Sequence, residues 1–277
     1  MDYWSILELI DSNKVKFWVV PLGIKAWLMD KAGLSPEDII ELEWWEGVRL
    51  SKTLKSNENA SGTISPEVEG LVRAFDKFSG QDNARGLPDK NELVVTCAPA
   101  QHWCSRSPFD RNRRLWCSFA VHATPALLRQ PTSRTHSFYF AGDTGLPPQF
   151  PLHHQIGDRL GPFDLSAIPI GAYQPEWFMR EAHCNPSEAV KIHQAIGSRK
   201  SVAVHFDTFD LADEPRDEPP KLLLGEVERI NEEILKVAEE VQEEVVAEAK
   251  EKLVEMLPPL VDFAVIKQGQ RIESIPK

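Results

Sequence analysis

Apolar residues at Tyr3, Ile6, Leu7, Leu9 and Ile10 recur at helical spacing and predict a helix over residues 3–11, stopped by Asp11, Ser12 and Asn13. The run Val15–Val20 predicts a strand that Pro21 ends, because proline has no N–H to give a sheet ladder. Gly23–Ala32 reads as a short amphipathic helix closing at Gly33, and Ser35-Pro36-Glu37 as a cap-like start before a strand over Ile39–Trp45. Strand, helix and strand in that order predict an α/β unit. The pattern then breaks. Residues 51–91 are rich in Ser, Asn, Gly, Asp and Lys, and read as a surface insertion with one weak helical piece at Pro66–Phe78.

Leu93–Pro99, Leu115–His122 and Ser137–Ala141 resume as core strands, with a polar loop over Ala123–Thr135. From Leu165 the order is strand, loop, helix over Ser187–Ile196, and strand over Ser201–His205. Asn185-Pro186-Ser187-Glu188 supplies an N-cap with proline in the first turn. Lys221–Met256 predicts a long helix, and residues 221–257 form an extended acidic segment. Its apolar positions 227, 230, 234, 237 and 241 keep coiled-coil spacing for only about two heptads, which favours a packed or protruding helix over a dimer zipper. Phe263–Lys267 closes as a strand. No internal repeat is present.

Composition narrows the partners. The chain has 277 residues and a formal net charge of −11, which argues against nucleic acid, since phosphate binding wants clustered Lys and Arg. From Glu226 to Glu255 there are eleven acidic and four basic residues, so most of the charge is local. Cys97, Cys104, Cys117 and Cys184 form no C-x-x-C and read as reduced thiols of an intracellular, cytoplasmic protein. No apolar run approaches the roughly 20 residues that a membrane span needs.

Three short segments carry the candidate chemistry: Ala-Gln-His102-Trp, Phe-Ala-Gly-Asp143-Thr-Gly and Ala-Val-His205-Phe-Asp-Thr. Each places a His or Asp at or just past the end of an apolar run, where a sheet can present a side chain rigidly. Two imidazoles and a carboxylate are good ligands for zinc-like ions, so the three read as a partial metal site. Against that stand hydrogen-bonded structural histidines and, for Asp143, a plain Asx turn. No His-x-His or His-x-x-x-His pair supplies further ligands. His183, just before the capped helix, could meet an anionic group at the helix N-terminus or stand as a surface loop residue. His153, His154 and His193 read as solvated or helix-surface residues, and Cys104 as packed rather than nucleophilic. Trp44, Trp45, Trp103, Trp116, Trp177 and Phe178 give an aromatic density that is mostly core, with some members open to line a lipid-accepting groove.

On Glu-Leu-Glu-Trp-Trp-Glu (41–46), Pro-Ala-Gln-His-Trp-Cys (99–104), Phe-Ala-Gly-Asp-Thr-Gly (140–145), Gly-Pro-Phe-Asp-Leu-Ser-Ala-Ile-Pro-Ile-Gly-Ala-Tyr (161–173) and Trp-Phe-Met (177–179), the chain resembles the N-acylphosphatidylethanolamine-hydrolysing phospholipase D family of the metallo-β-lactamase fold superfamily. The resemblance covers about 1–50, 92–220 and 260–270. It implies one metallo-β-lactamase-like domain over 1–277, an α/β fold built as an αββα sandwich, here N-terminally truncated and extended by the long acidic helix. It implies a dinuclear zinc centre that hydrolyses a phospholipid to phosphatidic acid and an N-acylethanolamine, with peripheral contact to a membrane surface and room for a homo-oligomer. Residue by residue, His102 would complete one zinc site, Asp143 would bridge both ions, His205 would hold the second, and His183 would lie near the phosphate. The family's His-x-His-x-Asp-His motif does not occur in this sequence, so the resemblance offers three of seven ligands. A chain so short of ligands is expected to be inactive alone, which leaves a non-catalytic scaffold or binding protein, using the acidic helix as partner surface, as the alternative.

Overall fold

The computed structural model describes residues 3–277 except 13–14, 16, 52–74, 80–91, 106, 125–133, 245–255, 268 and 273–277. The chain divides into two compact units, one comprising Met1–Pro99 with Trp103–Phe138, the other Ala100–His102 with Tyr139–Lys277.

The first unit opens on α1 (Tyr3–Asp11), β1 (Trp18–Pro21), α2 (Lys25–Ala32) and β2 (Ile39–Leu42). β1 and β2 pair in parallel, with Trp18 opposite Ile39, so the α/β unit read from the sequence is present. α2 starts two residues later than expected and ends at Gly33, whose φ of 66° is cheap only for glycine. Ile6, Val20, Leu28 and Ile39 are buried together beneath these elements. Glu41 fastens the helix start, its Oε1 accepting from the N–H groups of Gly23 at 2.7 Å and Lys25 at 2.9 Å.

The expected strand over Ile39–Trp45 is shorter than its apolar run. Trp44 and Trp45 form a turn, Trp45 with φ 68°, and the chain re-enters a sheet as β3 (Glu46–Ser51). β3 pairs antiparallel with β4 (Phe75–Ser79) on one side and β5 (Glu92–Ala98) on the other, and β5 pairs antiparallel with β6 (Ser118–Ala123). The helical piece expected at Pro66–Phe78 is therefore corrected where it is described: residues 75–78 are strand, and 66–74 lie outside the described residues, as does most of the 51–91 insertion. Val48 and Leu50 bury against Leu42 and Cys97, and each such side chain contributes about 1.5–3 kcal/mol.

In the second unit, β7 (His136–Phe140), which begins in the first, leads to α3 (Leu152–Leu160), β8 (Leu165–Pro169), α4 (Glu176–Met179), α5 (Pro186–Ala195), β9 (Ser201–Val204), α6 (Glu218–Glu244) and β10 (Phe263–Ala264). β8, β9 and β10 are neighbouring parallel strands, as expected where helices cross between them. α5 has a capping box: Asn185 Oδ1 accepts from the Glu188 N–H at 2.9 Å, and Glu188 Oε2 accepts from the Asn185 N–H at 3.1 Å. α6 begins three residues before the predicted Lys221; the stretch 245–255 lies outside the described residues. α3 was not anticipated, and it changes the reading of its own histidines below.

Candidate functional site

β7 ends at Phe140, and Ala141-Gly142-Asp143-Thr144-Gly145 leaves it in a turn whose Gly142 has φ 65°. Thr144 is buried, and its Oγ1 accepts from the Gln101 N–H at 2.9 Å. The Gly145 N–H donates to the Gln101 carbonyl at 2.8 Å, and the Cys184 N–H donates to the Thr144 carbonyl at 2.9 Å. A Cβ at Gly145 would lie 2.5 Å from the Arg180 carbonyl oxygen, a spacing only glycine permits. The segments bearing His102, Asp143 and His183 are thus stitched together at Thr144 and Gly145.

His205 arrives from the end of β9. Its φ is 62°, and Ala172 and Asp207 also lie in the left-handed region at 65° and 58°. Such residues cost on the order of 1–3 kcal/mol each and persist where their surroundings hold them. Here the Glu214 carboxylate accepts from the N–H of Ala172 and, at 3.0 Å, of Gln174. Gly171, just past β8, leaves room for nothing larger: a Cβ there would stand 2.3 Å from the His205 carbonyl oxygen. Gly145, Gly171 and Glu214 therefore position the site; Gly145 belongs to the Gly-Asp-Thr-Gly turn read from the sequence, whereas Gly171 and Glu214 carried no positional signal there.

The four side chains singled out from the sequence come together. His205 Nε2 lies 3.3 Å from Asp143 Oδ1, the His102 and His183 rings meet edge to face with centroids 5.1 Å apart, and the His183 and His205 centroids are 5.3 Å apart. The Asp143 side chain is 46% exposed, so the cluster opens to solvent on that side. His183 lies half-buried beside its partners rather than on a free surface loop, and its Nδ1 is buried without a hydrogen-bond partner.

Charge follows from these contacts. The hydrogen bond with His205 holds the Asp143 carboxyl below its usual range, more than offsetting partial burial, and His102 and His183 add to the effect. The same bond raises His205 against burial, with the backbones of His205 and Gly171 acting in the same direction. His183 is pushed down to about 4 by burial first, then by the neighbouring His102 and His205, so it is neutral near pH 7.

Whether this donor set fits a metal can be judged on geometry. Two ligands of a tetrahedral ion with bonds of about 2.0–2.1 Å stand roughly 3.3 Å apart, which is the spacing of His205 Nε2 and Asp143 Oδ1. Among the described residues, however, no group of three or more His, Cys, Asp and Glu is arranged to hold a metal ion. The residues present do not by themselves fit a closed metal centre.

Other candidates are absorbed by structure. Cys104 Sγ donates to the Arg114 carbonyl at 2.8 Å and accepts from the Arg114 N–H, a loop-closing role; all four cysteines are free. His153 and His193 are not the solvated residues the sequence suggested. Both are 2% exposed, because α3 and α5 turn them inward. His193 Nδ1 meets Ser201 Oγ at 2.8 Å and its ring stacks on Phe263. Trp44 and Trp116 pack edge to face, whereas Trp177 and Phe178 on α4 are 80% and 66% exposed.

The imidazoles and the carboxylate are gathered on loops carried by an α/β scaffold, where binding and catalytic residues concentrate. Residues 3–206 match the family model of the beta-lactamase superfamily domain, and the chain belongs to that family. It is 31% identical over 232 residues to N-acyl-phosphatidylethanolamine-hydrolyzing phospholipase D 1 of Caenorhabditis elegans, a match covering 80% of this chain and 51% of that protein. It is 28% identical over 227 residues to the mitochondrial N-acyl-phosphatidylethanolamine-hydrolyzing phospholipase D of Saccharomyces cerevisiae, covering 80% of this chain and 36% of that protein. The chain thus spans about half the length of the first relative and less of the second. Igni18, a metallo hydrolase from Ignicoccus hospitalis, aligns with a TM-score of 0.43 at 14% identity, over 80% of this chain and 66% of that one.

Proposed function

We propose that this chain carries part of the site of a phosphodiester hydrolase acting on N-acylphosphatidylethanolamine-like lipids, with two zinc ions as cofactor and phosphatidic acid and N-acylethanolamine as products. The observation that carries the reading is the convergence of His102, Asp143, His183 and His205 from four separate segments. The two relatives named for this activity support it.

The residues themselves constrain the chemistry. Asp143 keeps its negative charge, and a phosphodiester is also an anion, so the two repel at close range unless a cation stands between them. Without a metal, His205 is the group that Asp143 holds, and the bond between them raises the imidazole's affinity for its proton. His102, Asp143 and His205 are the metal donors in this reading. His183, uncharged above about pH 4, is free to hydrogen-bond a phosphate oxygen without competing for a metal's charge. The three donors fall short of a closed centre, so the full site takes further ligands of the His-x-His-x-Asp-His kind.

A lipid substrate has to be drawn from a membrane surface. Trp177 and Phe178, with centroids 5.7 Å apart and mostly exposed, follow Pro175 on the loop that Glu214 secures, and are the peripheral membrane contact in this reading. Among the described residues no helix is long and apolar enough to cross a membrane.

The second reading, a non-catalytic binding protein, is favoured by the same shortage of donors. The test is zinc stoichiometry and release of labelled N-acylethanolamine from vesicles, for this chain and for one supplied with a His-x-His-x-Asp-His segment upstream. Zinc-dependent release, lost in Asp143→Asn and His205→Gln, is the expected result in at least the supplied chain. Absence of zinc binding and release from both sinks the hydrolase and leaves the binding role.

A further inference from the structure

Beside the loop that leaves the Asp143 turn lies a cavity of about 730 Å³, within the size range of small-molecule sites and lined by none of the four clustered residues. Its walls differ in chemistry. Leu146, Pro147 and Phe150 give an apolar side, and Arg180 and Lys191 bring two cations. Glu188 shares the wall: its carboxylate accepts the Asn185 N–H at 3.1 Å and interacts with both cations, so Arg180, Lys191 and Glu188 together leave one positive charge in excess on this side. His153 also lines the cavity. It is 98% buried, and neither ring nitrogen has a hydrogen-bond partner. A buried imidazole in that condition has given up water for nothing, a cost that a bound polar group can remove.

We propose that this cavity is a separate ligand site for a straight-chain acyl anion, its acid group on Arg180 and Lys191, its chain against Leu146, Pro147 and Phe150, and an oxygen hydrogen-bonded to His153. A carboxylate and a phosphate monoester share this chemistry. Surplus positive charge selects the anion, the proline-rich wall selects the hydrocarbon, and the imidazole rewards a ligand able to accept its N–H. The site does not rest on the hydrolase reading. It abuts that cluster through the chain: Leu146 follows Gly145, and Arg180 precedes His183 by three residues, so an occupant restrains both segments.

Calorimetric titration of the intact chain with decanoate and with decyl phosphate, below their micellar concentrations, tests the proposal, with decanol and decyltrimethylammonium as controls. Both anions are expected to bind at least tenfold more tightly than decanol, and the cation not at all; the tighter anion identifies the fatty acid or the phosphomonoester as the natural class. Arg180→Gln/Lys191→Gln, on exposed side chains, is expected to weaken anion binding tenfold or more. Gln194→Trp, which fills the cavity from the helix side, is expected to abolish it with an unchanged circular dichroism spectrum. Binding of decanol or decyltrimethylammonium as tight as that of the anions, or undiminished binding by the double variant, overturns the assignment.

Discussion

The two units treat their buried polar groups differently. In the first, several conspicuous groups are closed: Glu41 takes two backbone N–H groups, the Trp44 indole donates to the Trp116 carbonyl at 2.7 Å, and Cys104 is bound to Arg114, while the Thr96 hydroxyl stays unpartnered and Trp45 and Asn112, each in its own turn, hold left-handed backbone. In the second, His153 has two unpartnered nitrogens and His183 has one, and the left-handed residues Ala172, His205 and Asp207 gather around one site. Satisfied polar groups rigidify, while unsatisfied ones and stored strain are stability forgone for something else. The difference teaches where to look for chemistry: in the second unit the unpartnered nitrogens and the strained backbone lie together around the histidine cluster and the neighbouring cavity, whereas in the first they are scattered.

The sharpest way to break this comparison is with acid. Burial pushes His153 and His193 down to about 4, against an ordinary 6.5 in the unfolded chain. Between those values the unfolded chain takes up protons that the folded chain refuses. The stability is therefore fully present above about pH 6.5 and is lost as pH falls through 4, by up to about 3 kcal/mol for each histidine. Urea unfolding at pH 7, 5.5 and 4 should show that loss, and His153→Phe should flatten part of it. Hydrogen exchange at pH 5 should open the described residues of the second unit before those of the first. Simultaneous opening would mean the units do not differ as described.

Next in size come two variants that should cost similar stability and differ in consequence. Gly171→Ala sets a Cβ 2.3 Å from the His205 carbonyl oxygen, an overpacking that costs about 1–3 kcal/mol and pushes His205 away from Asp143. Glu41→Ala strands two N–H groups at the start of α2, also at about 1–3 kcal/mol, and should leave His205 untouched. Denaturation midpoints together with histidine NMR titration separate them. Only Gly171→Ala should return the His205 titration toward its ordinary value, since only it removes the carboxylate that raises it.

What the sequence made legible follows the same division. Strand-end placement is a one-dimensional feature, so His102, Asp143 and His205 could be picked from the ends of apolar runs. The capping residues of α5 were equally plain, because cap chemistry is local. Gly145 was legible as a turn glycine but not as a packing contact, and the positioning roles of Gly171 and Glu214 were not legible: each of the three matters through an atom at least 30 residues away in the chain, which no periodicity records. His153 and His193 were misread because histidine counts as polar in any pattern, whereas two helices bury them. β3 and β4 were missed for a related reason. The apolar run through Trp45 conceals a turn, and the strand beyond it reads as polar because Glu46 and Arg49 interrupt it.

The smallest effect belongs to the cap that anchors the second unit's site. Asn185 lies two residues after His183, accepts the Glu188 N–H and donates its amide to Glu176 Oε1 at 3.0 Å. Asn185→Ala should cost about 1 kcal/mol, as loss of an N-cap does. Because the capped turn follows directly on the His183 segment, the same change should loosen that ring against His102 and His205 and raise its pKa from about 4 toward the ordinary range. Asn185→Ser discriminates between the two bonds. A serine hydroxyl can still accept the Glu188 N–H but cannot reach as the amide does to Glu176, so recovery of both stability and the depressed His183 titration assigns the anchoring to the cap. Recovery of stability alone would transfer it to the Glu176 bond, and the first-turn geometry of α5 would then be scaffold of the kind seen throughout the first unit.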